Sequence, residues 1–225
     1  MRSSIHDLAV AHRRLAPMRG VGVCGRILGT PGTRGSKHTN TDRGSRMAEY
    51  TLVADKTGEL RLDASAKEER YAEVAQQIEA VLEGEPDLVA AMVTVVCLLH
   101  NALPYYFWTG FYRRVGPTRL LVGPYQGTLG CLAIEFGRGV CGTAAERRET
   151  VIVPDVHAFP GHIACDSASA SEIVLPVFDA RGELVAVFDV DSTIPAAFDE
   201  VDQRWLEQIL GMLREKEVRP IVWAG

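Results

Sequence analysis

No stretch of this chain is apolar for long enough to cross a bilayer. The longest apolar run, Leu88 to Leu99, spans 12 residues, where a membrane helix needs about 20, so it reads as a buried helix and predicts no membrane partner. Cysteine is scarce: five residues, an odd number, with no secretory-leader pattern in the sequence. That excludes a disulfide-stapled secreted scaffold and predicts a reducing, cytoplasmic compartment. The close paired Cys and His spacings of structural zinc sites are missing, so neither a metal nor another cofactor is expected. Positive charge is also short, and a net charge of −5 excludes a general nucleic-acid binder. No internal repeat appears.

What charge there is lies unevenly. Residues 1–46 hold nine Lys or Arg and two Asp, a balance of +7, which leaves −12 on the rest. This first segment is rich in Arg, Gly, Ser and Thr and has no sustained apolar period. It reads as a disordered, targeting or non-native segment that precedes a second start at Met47. As a transit peptide it would send the chain to a mitochondrion or another organelle. Residues 47–225 read as a single domain with enough chain for one core.

Within that domain Asp63 or Ser65 caps a first helix, with Tyr71, Val74, Ile78 and Val81 at helical spacing. Glu85-Pro86-Asp87 breaks it, and a strongly apolar helix follows over 87–102. Cys97 lies there among Val95, Val96, Leu98 and Leu99 and reads as a small buried hydrophobe. Short apolar or aromatic runs at 105–113, 119–125, 131–136, 151–153, 172–178 and 183–191 predict strands. A short helix is expected over 139–148 and a last one over 199–217. The pattern implies an α+β fold, an antiparallel sheet with helices packed on it.

Chemistry concentrates in one region. Cys131, Cys141 and Cys165 fall within 35 residues, and residues 154–171 form a polar loop of 18 residues without period. Loops beyond about 12–15 residues are usually functional or disordered. Phe159, Pro160 and Ile163 favour a packed one. Cys141 opens a helix after Gly137-Arg138-Gly139, a position that lowers a thiol's pKa. A two-residue turn at Ala180-Arg181 would pair Glu172 with Asp189, and Asp191 would share their face. Three converging carboxylates need a cation, an ammonium or a shared proton. Trp108 and Tyr112 flank Gly110 on one strand face and predict a slot for a small apolar group. Two other readings stand beside this one. Cys131, Cys141, His157, His162 and Cys165 offer zinc-type ligands, and the domain could bind a small molecule without turnover.

Five segments carry a family resemblance: Trp108-Thr-Gly-Phe-Tyr112, Gly123-Pro-Tyr-Gln-Gly127, Gly137-Arg-Gly-Val-Cys-Gly-Thr-Ala144, Pro154-Asp-Val-His-Ala-Phe-Pro-Gly-His-Ile-Ala-Cys-Asp166 and Asp189-Val-Asp-Ser192. Over roughly residues 50–217 the sequence resembles the free methionine-(R)-sulfoxide reductases. These are GAF-domain enzymes with a six-stranded antiparallel sheet flanked by helices. The resemblance implies a thiol-dependent reduction of free methionine (R)-sulfoxide. Cys165 is its implied nucleophile, which passes through a sulfenic acid. Cys131, or in second place Cys141, then closes a disulfide that a thioredoxin-type reductant reopens. Glu172, Asp189 and Asp191 would hold the substrate ammonium, and Trp108 and Tyr112 would enclose its S-methyl group. A homodimer is implied as well. The competing reading within this fold is a GAF-type small-molecule or redox sensor.

Overall fold

Helices begin where acidic caps stand. Asp63 accepts from Ala66 N and opens α1 (Ala64–Leu82). Asp87 accepts from Ala90 N and opens α2 (Leu88–Ala102). Each carboxylate satisfies an N–H that the first helical turn leaves unpaired. Ahead of α1, β1 (Val53–Ala54) and β2 (Leu60–Arg61) pair as a small separate sheet. The computed structural model describes residues 53–54 and 60–217, apart from Ala164. The expectation for residues 1–46, Cys24 included, lies outside the described residues.

After α2 the chain alternates strands with short connections. β3 (Trp108–Arg114), β4 (Arg119–Gln126) and β5 (Ala133–Glu135) lead into α3 (Gly139–Arg147). β6 (Val151–Val153), β7 (Ser171–Phe178), β8 (Leu184–Ser192) and α4 (Glu200–Gly211) complete the order. The main sheet is antiparallel, six-stranded, and ordered β5-β4-β3-β8-β7-β6. The α+β expectation and its six strands are borne out. The last helix is shorter than expected: residues beyond Gly211 form successive turns.

The sheet divides the interior in two because strand side chains alternate faces. Phe111, Ile173, Leu175, Phe188 and Val190 pack against α1, α2 and α4. On this side Lys67 of α1 donates to Asp202 of α4 at 2.5 Å and to Asp199 at 2.8 Å. Tyr71 and Tyr105 also donate to Asp202, so its buried charge is paired and hydrogen-bonded, as burial requires. Trp108, Tyr112, Val174 and Val187 face the other way, toward α3.

Two local expectations fail. Cys97 is exposed, as is Val93 one turn before it. α2 buries Met92, Val95, Val96 and Leu99 instead. The β7–β8 register differs as well. Gly182 takes φ 79° and donates to Asp179 O, and Asp179 N donates to Glu183 O. This makes a three-residue loop where a two-residue turn was expected. A further slip lies between Val177 and Phe178, so Glu172 pairs with Asp191 and Val174 with Asp189. One slip would have sent the carboxylates to opposite faces, and the second returns them to the same face.

Candidate active site

The site lies between the sheet and α3. Trp108 pairs with Asp191 and Gly110 with Asp189 across β3 and β8, and Glu172 pairs with Asp191 across β7 and β8. Paired residues share a face, so the three carboxylates and both aromatics converge as expected. α3 comes close because Gly142 has no side chain: a Cβ there would lie 2.3 Å from Glu135 O. That approach carries Cys141 over the carboxylates. The cavity between them is tight, with about 30 Å³ of free volume, and is lined by seven of the eight residues to which the resemblance gives a role, all but Cys131. Cys131 packs at the edge of the same cluster.

Aromatic rings form one wall. Trp108 stacks on Tyr112 at 5.8 Å and on Tyr125 at 5.3 Å, and its Nε1 donates to Thr128 O at 3.0 Å. The expected slot over Gly110 is filled by Trp108 itself, since a Cβ on Gly110 would come within 2.6 Å of the indole. Gly110 therefore seats the indole, and the stacked rings line the cavity as a rigid plate.

Burial sets the charge state of the floor. It raises Asp191 to about 6, with the Asp166 charge adding and a hydrogen bond from Ser169 opposing. Burial first, then the Asp189 and Asp191 charges, hold Glu172 well above the ordinary carboxyl range. Asp189 is raised too, by burial and then by Asp191, while hydrogen bonds with Cys141 and Glu172 pull it down. Asp189 Oδ1 is buried with no hydrogen-bond partner. His162 Nε2 stands 3.9 Å from Glu172, but burial and His157 lower its pKa, so it is neutral at pH 7. Among the described residues no lysine or arginine pairs with any of the three carboxylates. Among the described residues the floor is an acidic cluster with no lysine or arginine paired to it, which suits an ammonium group.

The thiols divide into a bonded pair and a buried singleton. Cys131 and Cys165 form a disulfide, and Cys141 is free and buried. The lowered pKa expected for Cys141 is reversed. Burial, then the Asp189 and Glu172 charges, push its thiol well up, and these outweigh the helix N-terminus. The Cys165 loop is anchored in part: Phe159 packs on the core as expected, whereas Pro160 and Ile163 are exposed. Val156 N donates to Ala170 O and Ala170 N to Ser192 O, while Val156 is fully buried. The five-residue zinc reading does not fit: the disulfide occupies two of its thiols, and His157 is exposed. Sequence reasoning missed Tyr125, which only the β3–β4 register places on Trp108, and Ser169, which only the loop's fold brings to Asp191.

A disulfide beside a carboxylate-floored cavity, on a six-stranded antiparallel sheet, defines a thiol-redox site. Comparison with known proteins narrows it. The sequence model of the GAF domain matches residues 85–211. The chain is 44% identical to GAF domain-containing protein A of Dictyostelium discoideum, over 69% of this chain and 97% of that one. It is 40% identical to the free methionine-R-sulfoxide reductase of Escherichia coli, over 66% of this chain and 89% of the relative. The solved free methionine-R-sulfoxide reductase of Neisseria meningitidis, in complex with its substrate, superposes with a TM-score of 0.63 at 39% identity, over 75% of this chain and 95% of that one. The chain belongs to the GAF domain family, in the group of the free methionine-R-sulfoxide reductases.

Proposed function

We propose that this protein reduces free methionine (R)-sulfoxide to methionine, with Cys165 as nucleophile and Cys131 as resolving thiol. The observation that carries this reading is the Cys131–Cys165 disulfide beside a cavity floored by three carboxylates. In the reduced enzyme the Cys165 thiolate attacks the sulfoxide sulfur. Glu172, kept protonated by burial and its acidic neighbours, gives its proton to the sulfoxide oxygen. The oxygen passes to Cys165 as a sulfenic acid, and the substrate leaves as methionine. Cys131 attacks that sulfenic acid, water departs, and the disulfide forms. An external dithiol reopens it by exchange and is itself oxidised.

The same floor accounts for a preference for the free amino acid. Asp189 and Asp191 meet the substrate ammonium, and the stacked Trp108 and Tyr112 wall receives the S-methyl group. A peptide nitrogen carries no charge. A buried charge left without its partner costs roughly 3–5 kcal/mol.

The external dithiol is a thioredoxin-type protein that docks over the disulfide. Leu129 and Leu132 flank Cys131 and are 78% and 74% exposed, and Cys165 is exposed beside them. These apolar groups offer a docking surface centred on the bond to be broken. Such a reductant fits a cytoplasmic enzyme. The homodimer implied by the resemblance has an apolar helix face open to it, where Val93 and Cys97 are exposed on α2. The test is single-turnover methionine formation by the reduced protein. Cys131→Ser should release about one methionine per chain and stall with thioredoxin, whereas Cys165→Ser should release none. Multiple turnovers by Cys165→Ser would overturn the assignment of the nucleophile.

A further inference from the structure

Cys141 takes no part in the disulfide, and the proposed chemistry gives it no bond to make or break. It nevertheless lines the same cavity and is buried beside the carboxylates. Its sulfur and one oxygen each from Glu172 and Asp189 all lie within 4.8 Å of one another, and all three residues are buried. Asp189 Oδ1 is buried without a hydrogen-bond partner. The imidazole of His162 stands beside this group, 3.9 Å from Glu172.

We propose that Cys141, Glu172 and Asp189 form a site for a soft divalent cation of the zinc or cadmium class, and that this cation competes with the substrate ammonium. The donor set decides the class. One thiolate with carboxylates, and an imidazole nearby, suits zinc and cadmium, whereas magnesium and calcium favour oxygen alone. The size is also right. With Zn–S about 2.3 Å and Zn–O about 2.0–2.2 Å, the ligands of a tetrahedral site lie roughly 3.5 Å apart, and small side-chain shifts bring these three to that spacing. The unpartnered Asp189 oxygen gains a partner in the complex. Occupancy displaces the thiol and carboxyl protons into solvent, so binding tightens as pH rises. The site uses neither Cys131 nor Cys165, so it exists in the oxidised and the reduced enzyme. Its competition with substrate rests on the proposed function, but the metal binding does not.

The experiment uses the disulfide form of the full chain, titrated with Cd²⁺ and followed by sulfur-to-cadmium charge-transfer absorption, with Zn²⁺ followed by calorimetry. One equivalent should bind. Cys141→Ser should remove the sulfur signal and weaken Zn²⁺ binding about 100-fold or more, the upper end of the loss seen when a ligand's supporting partner is removed. Glu172→Gln should weaken binding while keeping the sulfur signal. Cys97→Ser should change neither. Free methionine should displace the metal. A cadmium signal that survives Cys141→Ser overturns the metal site, and metal binding that methionine leaves untouched in a protein that does turn over the sulfoxide overturns the competition. Absent turnover with intact metal binding refutes the proposed function alone.

Discussion

Asp191→Asn should make the substrate-free protein more stable at alkaline pH, although it removes a buried charge from the centre of the fold. Burial raises the Asp191 carboxyl from 3.8 to about 6. A raised acidic group favours the fold fully below its unfolded value, and that favour is lost as pH rises through the folded value. Between pH 4 and 6 the wild type therefore loses stability that it does not regain above. The shift amounts to about 3 kcal/mol at pH 8. Asparagine never ionises, and its amide oxygen still accepts from Ser169. The variant should thus gain up to about 3 kcal/mol at pH 8 and under about 1 kcal/mol at pH 4. For a domain of this size the alkaline gain corresponds to a Tm increase of roughly 6–12 °C. Denaturant melts of wild type and variant at both pH values measure it. An equal change at the two pH values, or a loss of stability at pH 8, would refute the reasoning that the floor is an uncompensated acidic cluster.

Function should move the opposite way. Asp189→Asn should lower kcat/KM for free methionine sulfoxide by at least roughly 30-fold, the smaller end of the cost of truncating a buried charge partner, and Glu172→Gln, which has no acidic proton to give, by about 100-fold or more; unchanged kinetics would remove these groups from the substrate site. Leu132→Glu should lower kcat/KM for thioredoxin by about tenfold while turnover driven by dithiothreitol, which needs no docking surface, stays level. An equal loss with both reductants would place Leu132 in the fold rather than in the docking surface.

Much of the fold could be read from the sequence because its signals are local. The Asp63 and Asp87 caps mark helix starts, and the long stretch without period between β6 and β7 marks the Cys165 loop. The convergence of Glu172, Asp189 and Asp191 was also legible, though through a pairing that the hairpin does not adopt. A glycine with positive φ and a later bulge each shift the register by one. Neither is visible in a strand's alternation, and the two together hide the change by restoring the face. Cys97 was misread for a different reason. α2 is apolar nearly all round, so its period does not reveal which face meets the sheet. The state of Cys141 was out of reach too. Position at a helix start is a sequence property, but the carboxylates that outweigh it arrive from β7 and β8.

The most direct test of the central claim is methionine release measured with the purified protein, thioredoxin and its reductase, on each epimer of methionine sulfoxide, free and peptide-bound. The carboxylate floor and the Cys131–Cys165 cycle predict sustained turnover of the free R epimer alone. Comparable rates on the S epimer or on peptide-bound sulfoxide, or none on the free R epimer, would contradict it.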